Sequence, residues 1–193
     1  RNNNGIAWDM TGRFSGFPVA TLHQQGIISS DVTGTLNGEI TLTQSAHSPL
    51  SNNQLRLKKS SLTSRGVYLR DINGSITQSG KTFSLQKIQG NVGEGRIELT
   101  GSIAMPQNAP RQLHLKLHTT SMDIGRTLRL LSPRIRSVQG VVNSTIELTG
   151  SLASPRIGAQ FALHRFFAYG FYLPRVDIAL SGTPKEIKIK QIK

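Results

Sequence analysis

Two ten-residue stretches of this chain read almost alike, IELTGSIAMP at 97–106 and IELTGSLASP at 146–155. A third, ITLTQSAHSP at 40–49, keeps the frame I-x-L-T-x-S-x-x-x-P. WDMTGRFSGFP at 8–18 fits it with Trp8 for Ile, Met10 for Leu and one extra residue before Pro18. The lead-ins VTGTLNGEITLT (32–43), IQGNVGEGRIELT (88–100) and VQGVVNSTIELT (138–149) share a β-branched residue, then x-Gly, then a turn-rich gap. A second family aligns 69–89 with 173–193: Leu69 with Leu173, Ile72 with Val176, Ile76 with Leu180, Phe83 with Ile187, Leu85 with Ile189 and Ile88 with Ile192. Self-similarity of this kind marks a repeat architecture rather than a duplicated active site.

Within each repeat the apolar residues recur every second position. Leu113, Leu115 and Leu117 alternate with His114, Lys116 and His118. The segments 53–60, 95–102, 144–151 and 185–192 alternate likewise. A period of two puts one set of side chains on each face of a strand. Gly, Asn, Ser and Pro clusters break the pattern every 8–12 residues or so, the spacing of antiparallel all-β structure. In this reading the strand carries I-x-L inward, Thr-Gly bends or turns the chain, and the following Pro stops the ladder because it has no N–H. SMDIGRTLRLLSPR departs from the pattern: Ile124, Leu128 and Leu131 are spaced four and three apart. It reads as a short amphipathic helix near 122–131, N-capped by Ser121 and ended by Ser132-Pro133, a lid on one edge or opening of the sheet.

The expectation is therefore an all-β chain, 1–193 as one β-repeat domain, whose antiparallel or mixed sheet curls into an open trough. The apolar face consists of Ile40, Leu42, Leu55, Leu57, Phe83, Leu85, Ile97, Leu99, Leu113, Leu115, Leu117, Ile146, Leu148, Phe161, Leu163, Ile178, Leu180, Ile187 and Ile189. Large aromatics are too few among them to fill a closed core, so an open groove for acyl chains and an ordinary sealed core are both readings of this face. The second family also ends abruptly in its second copy, so the sequence reads as a fragment cut in mid-repeat. The one aromatic-rich stretch, FALHRFFAYGFYLPRV (161–176), reads as a strand pair buried on both sides, or as a partner or membrane-interface contact.

No catalytic, metal or cofactor site is expected. The nearest string to a nucleophile elbow, GRFSG, has the wrong spacing. GNVGEG (90–95) has no following Gly-Lys-Ser/Thr and reads as a strand–strand turn. His114 and His118 lie on the polar side of a strand with no carboxylate expected beside them. Glu98 and Glu147 fall at equivalent outward positions, a solvated face rather than a converging acid–base pair. Asn73 and Asn143 begin N-x-S/T sequons. There is no cysteine, and no run approaches the roughly 20 apolar residues of a membrane helix. The net charge of +13 favours anionic partners, but the basic residues form no single stripe interleaved with aromatics, so nucleic acid is not expected.

The phrase L-T-G-S-L-x-x-P-x-I-x-G, here Leu148 to Gly158, resembles the recurring motif of the TamB and AsmA-like family of diderm envelope proteins. The helix-like DIGRTLRLLSP ahead of such a phrase is similar too. The likeness is best over 69–193 and weaker over the first 60 or so residues, where Gln44 replaces the usual Gly. The resemblance implies a long curled sheet with an aliphatic interior in the periplasm, belonging to a protein anchored in the inner membrane and reaching the outer one. It implies phospholipid transport and assembly of outer-membrane proteins, autotransporters included. Its partners would be acyl chains, a barrel of the TamA or Omp85 type, and unfolded outer-membrane protein strands. A closed β-solenoid or adhesin-like module and, further off, a basic nucleic-acid-binding domain are the alternative readings.

Overall fold

The computed structural model describes residues 7–24, 29–44, 51–107, 109–131 and 137–193. They form β1 (Trp8–Pro18), α1 (Ala20–Gln24), β2 (Val32–Gln44), β3 (Ser51–Ser64), β4 (Val67–Ser79), β5 (Thr82–Val92), β6 (Gly95–Ala104), β7 (Gln112–Asp123), α2 (Ile124–Leu131), β8 (Val138–Ser151), β9 (Ser154–Ala168), β10 (Phe171–Thr183) and β11 (Glu186–Ile192). The eleven strands make one antiparallel sheet in sequence order. It does not close: among the described residues β1 and β11 each pair with a single neighbour.

Register follows from the alternation, because a one-residue slip would turn every aliphatic residue to water. One rung crosses the whole sheet, Gly12–Ile40–Leu55–Ile76–Leu85–Gly101–Leu115–Leu148–Ile157–Gly182–Ile187. Directly paired residues project to the same side, so this rung and those parallel to it define one aliphatic face. The other face is polar, as in the rung Thr100–Lys116–Glu147.

The sequence-based bend at Thr-Gly takes a different form. Thr100-Gly101 and Thr149-Gly150 stay inside β6 and β8, and Pro155 is the second residue of β9, paired with Gly150. Pro106 does follow the end of β6, whereas Pro49 lies outside the described residues. Gly101 is required for close approach: at its φ of 133°, a Cβ would stand 2.0 Å from the His114 carbonyl oxygen of β7. The bends come from β-bulges instead. Registers skip between Phe14 and Phe17, Leu57 and Ser60, Arg70 and Asn73, Leu85 and Ile88, and Thr119 and Met122. Gly16, Lys59, Asp71, Lys87 and Ser121 lie in these gaps with positive φ. Each extra residue kinks its strand and increases the local twist.

Asparagines brace these kinks. Asn37 Oδ1 accepts from the Gly16 backbone N–H at 2.7 Å, Asn143 Oδ1 from Ser121 at 2.8 Å, and Asn73 Oδ1 from Lys59 at 3.0 Å. The two sequon asparagines thus serve the backbone of the preceding strand. Ser121 is part of a bulge and not the cap of α2. The cap is Asp123, whose Oδ1 accepts from the Arg126 N–H at 2.8 Å, so the helix starts at Ile124 rather than near 122. The expected Ser132-Pro133 stop lies outside the described residues.

The registers reveal a larger repeat than the phrases did. The series β1–α1–β2–β3–β4–β5 recurs as β7–α2–β8–β9–β10–β11. Met10↔Leu42 and Phe17↔Leu36 recur as Leu115↔Leu148 and Met122↔Val142. Leu55↔Ile76 and Leu62↔Leu69 recur as Ala159↔Leu180 and Phe166↔Leu173. Ile76↔Leu85 recurs as Leu180↔Ile189. Asn73↔Gln89 recurs in the mutual backbone hydrogen bonds of Asp177 and Lys193. Even the turns match: Arg65-Gly66 (φ 47° and 79°) recurs as Tyr169-Gly170 (φ 50° and 88°). Both central residues have φ > 0, the two-residue hairpin that suits the strand twist. The chain is a tandem duplication, with β6 joining the two copies.

Candidate functional site: an uncovered aliphatic face

All nineteen aliphatic and aromatic residues expected on the inward side fall on the one face. Beyond the central rung, Leu42 leads through Asn53 and Gln78 to Phe83, Ile103 and Leu113. Leu57 stands opposite Gly38 and Gly74. Leu99, Leu117, Ile146, Ala159, Leu180 and Ile189 form a further rung. Ile97 begins another that runs through Thr119 and Ser144 to Phe161 and Ile178, and Leu163 pairs with Val142 and Val176 beyond it. Sequence reasoning passed over Met10, Ile76, Ile88, Ile103 and Ile157, which join the same face. Ile76 and Ile157 sit among small and polar residues, so their segments carry too few alternations to announce themselves.

Among the described residues this face has no covering layer. Only Leu113 and Leu163 of the nineteen are buried, while Ile187 and Ile189 are 56% and 64% exposed. The whole chain exposes 13101 Å², where a compact protein of 21.1 kDa exposes about 9,000 Å². Two polar pairs interrupt the face. Asn53 Nδ2 donates to Gln78 Oε1 at 3.0 Å, and Thr119 and Ser144 hydroxyls share a buried hydrogen bond of 2.8 Å.

At one end of the sheet lies an open recess of 610 Å³. Gly66 and Tyr68 near the β3–β4 turn, Gly93 of the β5–β6 turn, Arg126 and Arg129 of α2, and Arg165 of β9 line it, with Glu94 and Asp123. The helix presses Gly125 onto the Val138 backbone, where a Cβ would meet the carbonyl oxygen at 2.3 Å. It thus packs on the start of β8 with Arg126 and Arg129 exposed, consistent with a lid at the end of the sheet.

The polar face holds the remaining candidates apart. Glu147 pairs with Lys116 at 3.2 Å and Glu98 with Lys87 at 4.0 Å, so the two carboxylates do not converge. The register does put Glu98 opposite His118, a neighbour the sequence did not supply. His118 Nδ1 nevertheless contacts Thr145 Oγ1 at 3.2 Å. Among the described residues no three His, Cys, Asp or Glu side chains gather as a metal site. GNVGEG is the β5–β6 turn.

The aromatic stretch is not buried on both sides. Tyr169 and Phe171 are 72% and 76% exposed, and Phe167, Tyr172 and Leu173 are also exposed. Among the described residues β11 pairs with β10 only from Asp177 onward. No family model matches this chain, and no curated protein or solved structure does. No helix among the described residues is long and apolar enough to cross a membrane.

Proposed function

We propose that this sheet is a trough that carries phospholipid acyl chains through the periplasm toward the outer membrane, as part of an envelope protein that supports outer-membrane biogenesis. The carrying observation is the aliphatic face, eleven strands wide, broken only by the Asn53–Gln78 and Thr119–Ser144 pairs and without a second layer among the described residues. Such a face attracts any methylene chain at about 0.8 kcal/mol per buried CH₂ and holds no polar anchor to select a headgroup. Weak selectivity suits sliding transfer better than capture.

Curling of the sheet into a trough has support in the recess: β4 and β9, about 24 Å apart in a flat sheet, supply Tyr68 and Arg165 to one hollow. The bulges supply the bends. The likeness of Leu148–Gly158 to the TamB and AsmA-like motif points the same way, with an outer-membrane barrel of the Omp85 type as docking partner and unfolded outer-membrane strands as further cargo. On this reading the whole protein is periplasmic and anchored in the inner membrane.

The test is photo-crosslinking in living cells from probes at Leu115 and Leu148, which face each other across β7 and β8. Lys116 and Glu147, their ion-paired neighbours on the wet face, are the controls. Phospholipid adducts from the first pair and not the second are the expected result. Adducts from neither, in a folded protein, would mean a sealed structural module.

A further inference from the structure

We propose that the recess at the end of the sheet binds a phosphate ester, its oxyanion held by the guanidinium groups of Arg126, Arg129 and Arg165. A soluble phosphate ester and a phospholipid headgroup share that chemistry, and the inference rests on the recess alone, not on the lipid reading of the sheet. The aliphatic face has no polar anchor, but the recess is built differently. Its 610 Å³ falls in the range of about 300–1,000 Å³ usual for small-molecule sites. α2 supplies Arg126 and Arg129 to it, and β9 supplies Arg165. Arg126 Nη1 lies 3.4 Å from where a Cβ on Gly93 would stand, so this side chain reaches the β5–β6 turn. Arg129 Nη1 is equally close to the Cβ position of Gly125, so it folds back along the helix. Arg70 Nη2 donates to the Gly93 carbonyl at 3.2 Å and holds the turn beneath Arg126.

Among the described residues none of the three arginines forms an ion pair. Two carboxylates also line the recess. Asp123 Oδ1 is committed to the helix cap at 2.8 Å from the Arg126 N–H, and Glu94 is exposed on the turn. Arg126 and Arg129 are neighbours on the helix surface and repel each other, a cost that a bound anion relieves. The fold does not require these charges. By the offset that relates Met122 to Phe17, Arg126 and Arg129 stand where the first copy has Thr21 and Gln24. By the offset that relates Phe166 to Leu62, Arg165 stands where it has Ser61. Each guanidinium offers a planar fork that matches two oxygens. Three forks suit the terminal oxygens of a phosphate monoester better than the two of a carboxylate. Tyr68, Met122 and Val141 line the same recess and give the organic part of the ester an apolar contact.

The experiment titrates glycerol phosphate, short-chain phosphatidate below its micelle concentration, and succinate into the isotope-labelled 193-residue chain, and follows the arginine Nε–Hε signals. Saturable shifts at Arg126, Arg129 and Arg165 are expected with both phosphate esters. Arg126→Gln or Arg165→Gln should weaken binding roughly tenfold or more. Arg156→Gln removes the same charge from an exposed site outside the recess and should change it less than about twofold. Glu94→Gln should tighten binding, since only an anionic ligand gains from the loss of that carboxylate. Equal affinity for the two esters would assign the site to a soluble phosphate ester. Tighter binding of phosphatidate, with added shifts at Tyr68 and Met122, would assign it to a lipid headgroup. Absence of saturable shifts with either ester would overturn the proposal. So would equal affinity for succinate, or equal losses in Arg126→Gln and Arg156→Gln, which would reduce binding to the pull of the net charge. The crosslinks from Leu115 and Leu148 report on the sheet and not on the recess, so either reading can fail while the other stands.

Discussion

At the scale of single residues the sheet depends on a few positions with no alternative. Gly101 has φ 133° and its missing Cβ would lie 2.0 Å from the His114 carbonyl oxygen, whereas a Cβ at Gly158 meets nothing within 4 Å. Gly101→Ala is therefore expected to destabilise by about 2 kcal/mol or more, and Gly158→Ala to change stability by less than about 0.5 kcal/mol; urea unfolding of the two variants checks the contrast. Replacing Asn37 or Asn143 with Ala strands the bulge N–H of Gly16 or Ser121 and should cost about 1 kcal/mol each. Two carboxylates held by guanidinium groups are expected to make the fold acid-sensitive. The Ser29 hydroxyl, then the Arg65 guanidinium and Ser64, hold the Asp31 carboxyl below its ordinary value, and the Arg175 guanidinium does the same for Asp177. A carboxylate depressed in the folded state adds stability above its ordinary pKa and loses it as pH falls through the folded value. Unfolding free energy should thus decline below about pH 4, and an Asp31→Asn, Asp177→Asn double variant should show a shallower decline. None of the bulge residues was legible in the sequence. Lys59, Lys87 and Arg165 have φ near 50°, yet lysine and arginine carry no signature of that conformation, and Asn73 and Asn143, which brace Lys59 and Ser121, passed for sequons.

At the scale of elements, strands were legible and their ends were not. Period-two alternation named the face because register leaves no freedom once one side must avoid water, and every residue assigned from it holds its side. The helix was legible from its four-and-three spacing, but its start was misplaced because Asp123 belongs to β7 as well as capping α2. Asp123→Ala should cost about 1 kcal/mol and fray α2 first, visible as faster amide exchange in 124–131 with β7 and β8 unchanged. The β9–β10 hairpin misled differently. Its aromatic composition reads as core, but Tyr169, Phe171 and Tyr172 stand exposed at and beside its turn. Its duplicate, β3–β4, carries Thr63, Arg65 and Val67 where it carries Phe167, Tyr169 and Phe171, so the aromatic tip serves no need common to both copies. Tyr169→Ser with Phe171→Ser should leave stability within about 0.5 kcal/mol and reduce co-sedimentation with anionic vesicles, since exposed aromatics flanked by Arg165 and Arg175 suit a headgroup interface.

At the scale of the molecule, the duplication was visible only in pieces because small length changes shift the offsets. Met10 corresponds to Leu115, Leu42 to Leu148 and Leu85 to Ile189, which are 105, 106 and 104 residues on. What the alternation left undecided was whether its apolar face is covered, since an open and a sealed face are written with the same residues. The chain exposes 13101 Å² against about 9,000 Å² for a compact protein of this mass, which favours the open face. Substitutions should then divide by position on the face rather than by residue type. Leu113→Ala, at a site only 7% exposed, should cost about 2–4 kcal/mol by the usual cavity effect. Ile189→Ala, at a site 64% exposed, should cost less than about 1 kcal/mol. Leu115→Lys is the decisive case, because a lysine there can extend its ammonium along an open face to water but has no such exit from a sealed core. The variant should keep its far-UV spectrum and cooperative unfolding, lose about 1–2 kcal/mol of stability, and lose the stabilisation that added lysophospholipid gives the parent chain through mass action. Cooperative unfolding that disappears with this one charge would instead mean a closed interior, and the conduit would have to be sought elsewhere in the molecule.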